Sequence, residues 1–195
     1  MPRKYLVIAI ALITFVFTAF AAQQQPPQGQ PQEQPQQPKP PADKSKRPSP
    51  PGTADVTLKG KKITIEYSRP YLKGRHVGQE LAPFDKVWRT GANEATSLTT
   101  EANLNIGGTN VPAGSYTLYT LPSAGTWKLI INKQTGQWGT QYDEQQDLAR
   151  IDMQKSQTEQ PVEQFTISFK KKSDNAADLV MEWENLRLTV PVKLQ

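Results

Sequence analysis

Residues 55–67 read Asp-Val-Thr-Leu-Lys-Gly-Lys-Lys-Ile-Thr-Ile-Glu-Tyr. Two short runs, 55–58 and 63–67, flank Lys59-Gly60-Lys61-Lys62, and that order predicts a β-hairpin. Side chains alternate between faces along a strand, so Ile63, Ile65 and Tyr67 share one side. The same period-two pattern recurs downstream at 95–100, 103–106, 115–121, 127–132, 149–153, 162–169, 179–183 and 186–192. Gly107-Gly108, Pro112-Ala113-Gly114 and the stretch 122–125 punctuate these runs as turns. In the last run Leu186, Leu188, Val190 and Val192 alternate with Arg187, Thr189, Pro191 and Lys193, giving one core face and one wet face. Pro191 cannot donate to a ladder, which predicts an edge or strand-end position. Only 79–83 and 142–148 suggest helical turns, and neither is long enough to carry a fold. The expectation is an all-β domain: an antiparallel sandwich, jelly-roll-like or partly open barrel, of about 8–10 short strands.

Upstream the composition changes twice. Residues 1–21 carry a basic start at Arg3-Lys4, an apolar run from Tyr5 to Phe20 and Ala19-Phe20-Ala21, which fits a signal peptide cut after Ala21. The apolar run of 16 residues is shorter than the roughly 20 a spanning helix wants, so no membrane span is expected after cleavage. An uncleaved segment would instead leave the protein tethered. Residues 22–51 are rich in Gln and Pro and hold no aromatic or branched aliphatic residue, so they are expected to be a disordered linker, extended by its prolines. That leaves 52–195 as one domain, exported to the periplasm or beyond the cell.

The net charge of +5 is concentrated before the domain. Arg3 and Lys4 contribute two units and residues 23–51 another two, leaving 52–195 nearly neutral. A nucleic-acid partner is therefore not expected, since that needs clustered cations on a folded face. The chain has no cysteine, which removes disulfides, thiolate metal sites and a Cys nucleophile. His76 is the only histidine, with no tight carboxylate spacing around it, so neither a metal nor a cofactor is expected. No phosphate loop, GxSxG elbow or HExxH is present.

The densest polar and aromatic stretch is 84–96, preceded by 68–75. Trp88 offers a stacking plane, and Arg69, Arg89, Asn93 and Glu94 offer directional hydrogen bonds, which together suit a concave binding site. The competing reading makes Trp88 a core residue and Arg89–Glu94 a structural pair pinning an irregular loop. Trp138, in a loop, could stack on a sugar ring, whereas Trp127, alternating with Leu129 and Ile131, belongs to a core.

Glu66-Tyr-Ser-Arg-Pro70, Val87-Trp-Arg-Thr-Gly-Ala-Asn-Glu-Ala-Thr96, Val111-Pro-Ala-Gly-Ser-Tyr-Thr-Leu118 and the segment from Asn132 through Gln137-Trp-Gly139 resemble, in this order, the motifs of domain-of-unknown-function family 2911, a family of exported bacterial proteins. The likeness runs from about Asp55 to Val192. It implies export and a β-rich fold, and it brings no established activity and no catalytic residues.

The function expected is a non-enzymatic binding or envelope-associated module, taking a small molecule, a glycan or an envelope protein through Arg69, Trp88, Arg89, Asn93 and Glu94. One alternative is a small hydrolase of envelope glycans or peptides, which would need two carboxyl groups from Glu66, Glu80, Asp85 and Glu94 to converge. The other is a structural envelope scaffold without a ligand site.

Overall fold

The hairpin forms where the sequence places it. β1 (Pro51–Leu58) and β2 (Lys61–Ser68) pair antiparallel from Pro51–Ser68 to Leu58–Lys61. Only Lys59 and Gly60 turn the chain, at φ 44° and 77°, the left-handed pair that suits the twist of a two-residue hairpin. Glycine fills the second position at no steric cost, while Lys59 holds the first against one.

The computed structural model describes residues 43–195, all within one compact unit, Ala42–Gln195. The expected signal peptide and most of the expected linker lie outside the described residues. Within the stretch read as linker, however, residues 43–50 are part of the folded unit. Asp43 caps a short 3-10 turn at Lys44–Lys46, the Pro50 carbonyl accepts from Arg69 N–H at 2.8 Å, and β1 already begins at Pro51.

Eight further strands follow: β3 (Thr96–Thr100), β4 (Leu104–Ile106), β5 (Thr109–Val111), β6 (Gly114–Leu121), β7 (Lys128–Asn132), β8 (Asp147–Asp152), β9 (Gln154–Ser173) and β10 (Ala176–Leu194). They form two antiparallel sheets, ordered β1-β2-β3-β6-β7-β8 and β5-β4-β10-β9. The fold is an all-β sandwich, and neither sheet closes into a barrel. Ile63, Ile65, Leu98, Leu118, Leu129 and Ile131 of the larger sheet meet Leu104, Ile106, Val111, Leu179 and Val190 of the smaller, all nearly inaccessible to solvent. Trp127 is in this core.

Three expectations need correction. The strands are not all short: β9 and β10 run 20 and 19 residues. Fully extended, β10 would span about 60 Å. Its ends nevertheless meet, because Leu194 N–H donates to Asn175 O at 2.9 Å. β10 therefore doubles back, and it does so at Glu184, where φ is 55° and the register with β9 shifts on both sides. Arg187 and Glu182 pair across the bend at 2.6 Å. The two runs read separately at 179–183 and 186–192 are the two arms of this strand. Pro191 is not on an edge strand; it sits where β10 leaves its last β9 partner at Thr189 and takes up β4 at Val192. The 79–83 stretch is a turn rather than helix, while 142–148 contains one 3-10 turn at Glu144–Gln146.

Candidate functional site

The long connection from β2 to β3, residues 69–95, is irregular but tightly held. Five of the seven non-glycine residues with positive φ lie in it: Lys73, Ala82, Asp85, Thr90 and Asn93. Such backbone costs on the order of 1 kcal/mol or more per residue and persists only where its surroundings enforce it. Here Trp88 is bonded at both backbone groups to Thr120 of β6, at 2.8 and 2.9 Å, and Thr96 Oγ1 donates to Thr90 O at 2.8 Å. The clamp sets the Trp88 indole against the core. It stacks on Trp183 at 5.4 Å with planes 18° apart and meets Phe165 edge-on at 5.0 Å.

Beside this stack lies a cleft of about 400 Å³. Trp88, Trp183, Tyr119 and Tyr142 supply its aromatic wall, and Arg75, Arg89 and Glu80 its charge. The Tyr142 hydroxyl donates to Asp147 at 2.6 Å, and burial pushes its pKa up to about 12, so the phenol stays protonated. Arg75 is spent on backbone carbonyls, those of Leu72 at 3.0 Å and Tyr71 at 3.0 Å. Arg89 differs: among the described residues its guanidinium makes no hydrogen bond and no ion pair. Its stem packs over Gly139, where an added Cβ would come within 2.7 Å of Arg89 Cδ and 2.8 Å of Asn93 O.

The other expected site residues lie elsewhere. Asn93, at φ 58°, turns the chain, and its amide donates to Ser49 O and Ser68 Oγ, both at 3.2 Å. That turn separates Arg89 from Glu94, so the two do not pair. Glu94 instead receives two bonds from Arg47, at 2.8 and 2.9 Å, with Lys44 at 3.1 Å. The Arg47 bonds, ahead of Lys44, lower its pKa to about 2. Arg69 bonds to β9, through Thr166 Oγ1 at 2.9 Å and Phe165 O at 3.3 Å. Of the five residues, only Trp88 and Arg89 line the aromatic cleft. Arg47 and Glu94 border a second hollow of about 400 Å³ near Glu66 and Gln137.

Trp183 and Tyr142 were not legible as site residues. Trp183 reads as one more core-facing position in an alternating strand, and nothing local announces that a loop some ninety residues upstream will lay Trp88 on it. His76 is exposed, and its Nδ1 lies 2.8 Å from Glu184, whose carboxylate raises its pKa. Among the described residues no three His, Asp or Glu side chains gather as metal ligands.

No curated protein and no solved structure matches the chain. A family model described as "Protein of unknown function (DUF2911)" matches residues 49–192, which takes in both sheets and every residue of the Trp88 loop. The chain belongs to the DUF2911 family.

Proposed function

We propose that the domain is a binding module, not an enzyme, and that it takes a small anionic ligand with a flat apolar body in the cleft between Trp88 and Arg89. The observation that carries this reading is Arg89 itself. Its side chain is held on the Gly139 backbone, its guanidinium is unpaired among the described residues, and it borders stacked indoles in a cleft large enough for a small molecule. An unpaired guanidinium whose stem is packed can accept a carboxylate without giving up another partner, and the half-buried Trp88 indole beside it offers an apolar surface to a planar or sugar-like body. The volume falls within the usual range for ligand pockets.

Hydrolysis fits less well. Glu80 is the carboxylate among the cleft residues, and it already accepts from His76 N–H at 3.1 Å. The second hollow brings Glu66 and Glu94 together, but Glu94 is tied up by Arg47 and Lys44 and held ionised, which leaves it unsuited to act as a general acid. Our reading also keeps the domain outside the cytoplasm, on the strength of the signal-like residues 1–21; mass spectrometry of the mature protein would find Ala22 at its N-terminus, and an intact Met1 in the cell envelope would contradict cleavage.

The cleft is tested by thermal shift with benzoate, indole-3-acetate, glucuronate and phenyl phosphate beside their uncharged counterparts. A ligand at 100 times its Kd adds about 2.7 kcal/mol to the stability. Stabilisation by an acid, lost with its neutral counterpart and lost in Arg89→Ala, supports the reading. Equal stabilisation of the wild type and Arg89→Ala by every compound sinks it.

A further inference from the structure

The end of the sandwich opposite the cleft carries a different surface. β2 runs from Lys61 to Ser68, about 25 Å, so the hairpin turn and the Trp88 loop sit at its two ends. Two other segments come to the hairpin end. The β9–β10 turn arrives through Lys59 N–H donating to Asp174 O at 2.9 Å, and the end of β10 arrives through Leu194 N–H on Asn175 O at 2.9 Å. The hairpin contributes Lys59, Lys61 and Lys62, the end of β9 contributes Lys170, Lys171 and Lys172, and β10 contributes Lys193; all seven are exposed. Against them stand Glu101, Asp174 and Asp178.

Two of the lysines are paired, Lys171 with Asp174 at 3.7 Å and Lys172 with Asp178 at 3.0 Å. The other five make no ion pair among the described residues. An almost neutral domain is therefore polarised, with a surplus of positive charge at one end that its composition hides, because the lysines come from segments more than a hundred residues apart. The chemistry of the patch narrows its partner. It contains no arginine, and the exposed large hydrophobic side chains, Phe84 and Trp138, are not part of it. None of the seven lysines lines a hollow. Flexible ammonium groups on convex hairpin tips suit a diffuse negative surface; they lack the forked donors and stacking planes that nucleic-acid recognition uses.

We infer that this lysine end docks on an anionic lipid surface, held by headgroup phosphates without insertion, and leaves the Trp88 cleft facing away from the bilayer. Each lysine near such a surface strengthens binding about fivefold at low salt.

The test is co-sedimentation with vesicles of phosphatidylglycerol and phosphatidylcholine, or of phosphatidylcholine alone, at low and at high salt. The unit Ala42–Gln195, whose core is complete within itself, is measured beside the full chain, because the apolar run from Tyr5 to Phe20 would bind either vesicle. Binding to the anionic vesicles alone, lost at high salt and weakened on the order of 100-fold in the triple variant Lys59→Gln, Lys61→Gln, Lys62→Gln, is the expected result. Circular dichroism checks that the variant keeps its sheets. Wild-type binding by the variant, or no binding at low salt, overturns the inference. So does capture of duplex DNA in preference to vesicles of equal charge. Aggregation of the variant without any change in lipid binding would make these lysines guards of the exposed β1–β2 hairpin and nothing more.

Discussion

The two ends of this sandwich are built by opposite means. At the lysine end the chain turns in the fewest residues it can: Lys59-Gly60, at φ 44° and 77°, joins β1 to β2, and Asp174-Asn175 joins β9 to β10. At the other end 27 residues, 69–95, wander between β2 and β3 with five strained non-glycine positions, and a clamp to Thr120 holds them in place. Tight turns leave a convex end that carries only charge. The long loop leaves a concave one, with oriented indoles and a positioned guanidinium. Connections that cost backbone strain are retained where they position something, and here that is Trp88 and Arg89.

Substitutions at the cleft end should therefore cost more than equally sized ones at exposed positions. The largest effect is expected for Trp88→Ala, which removes the stack on Trp183 and the edge contact with Phe165. A loss of about 3 kcal/mol in urea denaturation is expected, against less than about 0.5 kcal/mol for the exposed Trp138→Ala. Equal losses would mean that Trp88 is not clamped. Gly139→Val comes next. Its side chain meets the Arg89 stem and the Asn93 carbonyl, and a cost of about 2 kcal/mol should accompany loss of any acid-dependent thermal shift. At the opposite end Gly60→Ala meets nothing within 4 Å and pays only for its φ of 77°, about 1 kcal/mol.

A smaller effect is expected from pH. The Glu94 carboxyl has its folded pKa lowered to about 2 from an ordinary value near 4.5, so its contribution is complete above 4.5 and fades as pH falls towards 2. The pair with Arg47 is partly exposed, which limits it to about 1 kcal/mol. Melting temperature against pH should fall more steeply below 4.5 in the wild type than in Glu94→Gln, and parallel curves would show that Arg47 does not hold Glu94 in solution. The smallest effect belongs to the triple lysine variant, whose stability should lie within about 0.5 kcal/mol of wild type because those side chains touch little.

The difference between the ends also explains what the sequence made readable. The lysine hairpin was legible because strand pairing near a turn is local: period-two alternation and one glycine specify it. Trp88 and Arg89 stood out as candidates because a tryptophan amid polar residues is unusual. Their setting was not legible, since Trp183 and Gly139 come from distant segments and become neighbours only through the sheet. Five-residue proximity suggests a pair of Arg89 with Glu94, but the positive φ at Asn93 turns Glu94 away, and its partner Arg47 comes from a stretch whose composition gives no hint of order. The lysine patch stayed hidden for a related reason: net charge sums over the chain, while a surface is assembled by topology.

The most direct test of the cleft is an amide and side-chain NMR titration of the unit Ala42–Gln195 with indole-3-acetate, following the Arg89 Nε–H and the indole N–H signals of Trp88, Trp183, Trp127 and Trp138. The account predicts saturable shifts in Arg89, Trp88 and Trp183, with Trp127 and Trp138 unmoved and no shifts with the uncharged indole-3-acetamide. Shifts confined to Trp138, or identical shifts with the amide, would contradict it.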